Sequence, residues 1–252
     1  MIGKRLLVLG VVTVLAATTA LGQEAAEKSW SIELDATFNS KYVWRGISLT
    51  NDPVFQPTVA VSWKGFTASF WGNMDLTDIN GTQWNFNEID LTLDYSWSWD
   101  IVGFSVGVIH YRFPNIRLPS TTELYGAVGL DVPLSPTLTV YQDVDLVNGT
   151  YANLSIGHTF EDVWQLAEDI AMSVDLSGAV GYGSGKHNAF YYGSAASGFT
   201  DLLLALGLPV QIGEHWTVTP AVNYSILLDG RIRDAMPNDA NMWAGLSFTF
   251  TF

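Results

Sequence analysis

From Trp30 to Phe252 apolar and polar residues change places at almost every step, and no apolar run in that span is long enough to cross a membrane as a helix. At the start of the span Trp30, Ile32, Leu34, Ala36 and Phe38 oppose Ser31, Glu33, Asp35, Thr37 and Asn39; at its end Met242, Ala244, Leu246, Phe248, Phe250 and Phe252 oppose Asn241, Ser247, Thr249 and Thr251. A period of two belongs to strands with one wet and one dry face. The dry faces hold almost no charge. A soluble β-sandwich or lectin-like barrel would need charges on its outward faces, so the pattern predicts an all-β fold of the transmembrane, antiparallel, up-and-down β-barrel type.

Segments of this kind begin near residues 30, 54, 66, 86, 102, 121, 137, 150, 170, 199, 215 and 241, which predicts about twelve strands. Alternate connections are short: Lys64-Gly65, Ser98 to Ile101, Pro133 to Pro136 and Gly213-Glu214. The others are long: Arg45 to Pro53, Thr77 to Gln83, Arg112 to Ser120, Ser184 to Gly198 and Asp229 to Ala240. Trp30, Trp63, Phe66, Trp97, Trp99, Phe160, Trp216 and Phe252 fall at the short-turn ends, where an aromatic girdle would meet a membrane interface. Two connections break the rule. Val147 to Thr150 reads as a tight Asn-Gly hairpin on the long side, and Glu161 to Asp169 reads as a long connection, with room for a helical turn, on the short side. A closed barrel pairs its last strand with its first, so the strand ending at Phe252 is expected at the seam.

Lys4 and Arg5 precede an apolar run from Leu6 to about Ala17, and Ala20-Leu21-Gly22 is a small-residue cleavage site, so residues 1–22 read as a secretory signal peptide and 23–252 as the barrel domain. The implied destination is the outer membrane. The chain has no Cys and a formal charge of −14. The leader carries two of the basic residues, so the exported chain is more acidic still. That balance argues against a nucleic-acid partner, and the aromatic content of 13% with ten Trp argues against disorder.

The stretch KYVWRGISLTNDPVFQPTVAVSWKGFTASFWGNMDL resembles the TorF family of porin-type bacterial proteins. Ser40, Tyr42, Arg45, Gly46, Ile47, Ser48, Gln56, Gly65, Phe66, Trp71 and Gly72 sit at places matching that pattern, and NEIDLTLDY, VGVIHYRFPN and TELYGAVGLD are similar to later pieces of it. The likeness covers the first half of the exported chain. It implies an outer-membrane channel of unassigned solute.

If the dry face meets lipid, the other face lines the lumen. Glu33, Asp35, Asp75, Glu88, Asp90, Asp94, Glu123, Asp131, Asp143, Asp145, Asp175 and Asp201 are then expected inside, with Lys41 and Arg45 near the outer mouth. A passage walled by one sign enriches counter-ions; the plainer alternative is that these carboxylates are only the wet side of the strands. Twelve strands leave a narrow passage. The Ser184 to Gly198 connection, with Lys186, His187, Tyr191 and Tyr192, is the expected lid. Arg45 could reach across the mouth to a lumen carboxylate, or cap a strand end beside a neighbouring acid, with Gly46 supplying the turn. Phe248, Phe250 and Phe252 resemble the terminal signal read by barrel assembly machinery. The remaining expected partners are outer-membrane lipid and small solutes or cations. His110, His158, His187 and His215 are scattered and no Gly-x-Ser-x-Gly elbow is present, so no catalysis is expected. DLTDING (Asp75 to Gly81) lacks the length and closing Glu of a calcium loop, so neither a metal nor any other cofactor is expected.

Overall fold

In the computed structural model, residues 30–252 are described; the expected signal peptide lies outside them. Twelve antiparallel strands, wound up and down in chain order, close into one barrel. They are β1 (Trp30–Asn39), β4 (Val54–Trp63), β5 (Phe66–Asp75), β6 (Phe86–Trp99), β7 (Val102–Arg112), β8 (Thr121–Leu130), β9 (Thr137–Asp143), β10 (Thr150–Ala167), β11 (Ile170–Gly183), β12 (Gly198–Gly207), β14 (Trp216–Leu227) and β15 (Ala240–Thr251). A short β13 (Val210–Ile212) pairs with the same two neighbours as β12, so β12 and β13 are one strand broken at Leu208-Pro209, where Pro has no N–H to give the ladder. Two small pieces, β2 (Tyr42–Trp44) and β3 (Ile47–Thr50), form a separate hairpin between β1 and β4.

The seam forms where the pattern requires it. β1 pairs with β15 from Glu33↔Thr251 to Asn39↔Gly245, and every unpaired backbone group in hydrocarbon would cost several kcal/mol. The outward residues, Leu34, Val61, Leu93, Leu154, Leu204 and Met242 among them, are exposed from the protein side. Buried positions are mostly polar and face inward. This inside-out distribution suits a barrel whose outer solvent is lipid. At the end carrying both termini, Trp30 packs on Phe252 with ring centroids 5.5 Å apart, and Trp216 on Phe250 at 4.9 Å. Trp63, Phe66, Trp97, Trp99 and Phe160 are exposed at the same end, completing the girdle. Lys64-Gly65 makes the two-residue turn there, with both residues at positive φ (49° and 86°).

Three expectations need correction. Glu161 to Asp169 is neither a long loop nor a helical turn: β10 and β11 run on as an exposed ribbon, with a register shift between Phe160 and Trp164. Asp131 lies in the exposed turn after β8, and Asp145 in the exposed turn after β9, so neither stands on the lumen wall. For the two aspartates the strand ends before the alternation in the sequence does.

Candidate functional site: a closed knot in the mouth opposite the termini

The long connections do not stand clear of the barrel. The β2–β3 hairpin folds inward and fills the end opposite the termini, with Tyr42, Val43 and Thr50 buried. Its tip, Arg45-Gly46, repeats the geometry of Lys64-Gly65, with φ of 46° and 82°. A Cβ on Gly46 would lie 2.7 Å from Leu227 Cδ2 and 2.9 Å from Asp201 Cβ, so the tip also needs glycine for space. From the other side the Ser184 to Gly198 segment folds in as α1 (Gly185–Tyr191), capped by Ser184. His187, Asn188 and Tyr192 are fully buried, while Lys186 is exposed and Tyr191 half-buried.

Arg45 is where the two loops and the wall meet. Nη1 and Nη2 donate to Oε1 and Oε2 of Glu123 at 2.9 and 2.8 Å, a two-pronged pair with side chains 5% and 2% exposed. Such a pair needs every remaining lone pair filled if it is not to cost more than it returns. Tyr111 Oη adds a bond to Glu123 at 2.8 Å, and the guanidinium lies over the rings of Tyr151, Trp44 and Tyr141 at 4.1, 4.3 and 5.0 Å. Tyr192 Oη donates to the carbonyl of Arg45 at 2.6 Å. Arg45 therefore bridges the mouth. The alternative of a local cap fails because its partner sits on β8, across the lumen.

His187 completes the knot. Its Nε2 is 3.2 Å from Arg45 Nη1, and Nδ1 is 3.1 Å from Asn188 Oδ1. Arg can only donate, so Nε2 accepts and Nδ1 carries the proton. Burial first, and the Arg45 charge next, push this imidazole down to about 3, so it stays neutral.

The lumen carboxylates divide by what already holds them. Asp75 accepts from Thr50 at 3.0 Å, Asn80 at 2.8 Å and Thr82 at 3.0 Å, which closes the candidate calcium loop with side-chain donors. Asp94 accepts from Ser96, Ser105 and Tyr125. Asp143 accepts from Thr121 and from the N–H groups of Asp145, Val147 and Asn148, so it builds the β9–β10 turn. Asp201 accepts from Thr200 and Tyr151, and Asp35 from Thr37 and Thr249. Asp90 Oδ1 and Asp175 Oδ1 are buried without a protein partner. Glu33 is half-buried on β1, Glu88 is buried on β6 beside Tyr42, and Lys41 is half-buried ahead of the hairpin.

Sequence reasoning missed two parts of this end. Tyr111, Tyr141 and Tyr151 lie on the wet side of β7, β9 and β10, and that position was their only signal. A relay of amides also crosses four strands, from Asn39 to Gln56 at 2.8 Å, Gln56 to Asn73 at 2.9 Å and Asn73 to Asn87 at 2.7 Å. It holds the β1–β4–β5–β6 wall where the hairpin enters.

Comparison with curated proteins returns no match. Among solved structures, the chain is similar to the NanC porin (12% identity, 88% of this chain, 98% of that one, TM-score 0.48). It is similar also to an outer membrane channel from Pseudomonas putida F1 (9% identity, 90% and 97%, TM-score 0.49). The translocator domain of the autotransporter NalP from Neisseria meningitidis is a third (12% identity, 91% and 90%, TM-score 0.43). The family described as bacterial protein of unknown function (Gcw_chp) matches residues 23–250, and the chain belongs to it.

Proposed function

We propose that the protein is an outer-membrane channel for passive diffusion of small solutes and ions, with a preference for cations and a mouth narrowed by its own infolded loops. The observation that carries this reading is the wall below the knot, where Asp90 and Asp175 keep carboxylate oxygens free of protein donors while the Arg45 charge is spent on Glu123. Carboxyl oxygens left free on the wall, with the Arg45 charge already paired, favour cations over anions. Export by a signal peptide, insertion through the terminal Phe248, Phe250 and Phe252, and the TorF resemblance belong to the same reading. The histidines support a non-catalytic role: His187 bonds Arg45 and Asn188, His110 bonds Thr122 at 3.0 Å, and His215 bonds the carbonyl of Thr251 at 2.8 Å. None of these contacts is the carboxylate that would orient a catalytic base.

A second reading is favoured by the knot itself. Val54, Leu227, Ile232, His187 and Tyr192 are sealed at the mouth, which suits a non-conducting barrel that serves as a surface scaffold or as partner of another envelope protein. Planar bilayers under a salt gradient separate the two. Discrete currents with a cation-selective reversal potential support the channel; silent membranes from folded protein support the scaffold.

A further inference from the structure

The lumen wall opposite the charged strands holds polar atoms that the fold does not use. β14 and β15 contain no Asp, Glu, Lys or Arg. On their inner face Asn223 stands across from Trp243, and Ser225 across from Asn241. The four residues make a two-by-two patch and are 1%, 3%, 2% and 3% exposed, respectively. Asn241 Nδ2 donates to the carbonyl of Gly46 at 3.2 Å, which places the patch directly against the hairpin tip. The other three corners have no partner: both amide atoms of Asn223, Ser225 Oγ and Trp243 Nε1 are buried and unbonded. Ser48 Oγ, two residues past Gly46 on the hairpin, is unbonded as well. Buried polar atoms in folded proteins are nearly always satisfied. Four orphans on one small patch of lumen wall therefore ask for an occupant.

We propose that this patch is a binding subsite for a small, uncharged, polyhydroxylated solute held beneath the hairpin; the inference rests on the channel reading above. The chemistry selects the class. Asn223 offers a donor and an acceptor side by side, Ser225 offers either, and the indole N–H of Trp243 only donates. Such a set matches neighbouring hydroxyls, which also give and take. The indole ring adds an apolar face for the C–H side of a sugar ring or polyol. An ion is selected against, because the two strands provide no opposite charge to replace its lost hydration. The acidic wall and the neutral wall then handle different cargo in one lumen.

The test uses the exported chain, folded in detergent and inserted into planar bilayers in potassium chloride, with D-glucose added to both sides. The expected result is a saturable fall in single-channel current. Trp243→Phe, which removes the indole N–H and keeps an aromatic face, and Ser225→Ala, which is close to isosteric, should each weaken the apparent affinity by roughly five- to tenfold. A current that falls only with the bulk conductivity of the glucose solution overturns the proposal and leaves the patch to water alone. Saturation unchanged in both variants overturns it too. If no current is seen, the channel reading fails separately, and calorimetric titration of glucose into the folded protein decides the subsite. Saturable heat that is weakened in Trp243→Phe supports it; absence of heat overturns it.

Discussion

The wall from β5 to β9 and the wall made by β14 and β15 obey the same alternation, yet they treat charge in opposite ways. The first carries Asp75, Glu88, Asp90, Asp94, Glu123 and Asp143 on its wet face; the second carries none. The hairpin tip is fastened to each in the manner that wall allows. Toward β8 it is held by a buried ion pair; toward β12 and β14 it is held by close packing of Gly46 against Asp201 and Leu227, and toward β15 by a neutral hydrogen bond from Asn241. A single period in the sequence thus sets where the wet face is but not what the wet face is for.

The strongest way to break the comparison is to remove the charge fastening. Arg45→Ala leaves Glu123 buried without its partner, and the expected loss is about 3–5 kcal/mol, read by urea unfolding of the reconstituted barrel together with a rise in single-channel conductance. Replacing both members, Arg45→Met with Glu123→Met, should recover most of the stability without restoring the original conductance. On the packed side, Gly46→Ala should cost about 1–3 kcal/mol by overpacking against Leu227, again read by unfolding. If the two variants prove equal, the walls do not hold the hairpin differently.

Charge exchange between the walls sharpens the same contrast. Asp90→Asn should lower the ratio of cation to anion permeability by roughly fivefold, the factor that about 1 kcal/mol of wall potential provides in a wet passage, and Asn223→Asp should raise it. Reversal potentials under a salt gradient measure both. Asp143→Asn should act differently, by loosening the β9–β10 turn that its carboxylate organises.

The smallest effect near neutrality concerns His187, which faces Arg45 from the hairpin, Tyr151 and Asp143 from the wall, and Tyr191 and Tyr192 from its own segment. Its folded value, about 3, lies below the ordinary 6.5, so the unfolded or displaced loop binds more protons in between. The seating of α1 is then fully stable above about pH 6.5 and weakens progressively as the pH falls toward 3. Loop release followed by proteolysis at Lys186 should increase from pH 7 to about pH 5, and His187→Gln should flatten the profile.

The strands were legible because a side-chain period of two is local. Each strand start read from the sequence falls within one residue of the structure, and the seam followed from closure. Failures arose where something nonlocal or irregular took over. Glu161, Asp162, Glu168 and Asp169 look like a loop because charges interrupt the alternation, but a register shift after Phe160 lets the ribbon continue in spite of them. Arg45 and Glu123 are 78 positions apart, and no spacing rule joins them; only the inward return of the hairpin does. Asp131 and Asp145 continue the alternation on paper after the ladder has already turned. The acidic residues could be counted from the sequence, whereas which of them were already satisfied by Thr, Ser and Tyr donors could not.

The position of the hairpin in the chain has a consequence for biogenesis. β2 and β3 follow the first strand, but the groups that neutralise and enclose Arg45 arrive with β8, β10 and α1, and the enclosure is sealed only when β15 meets β1. The stopper is therefore synthesised before its bottle. A folding intermediate short of β8 would carry a bare guanidinium into the growing sheet, so insertion of this barrel has to keep that charge wetted until β8 is in hand.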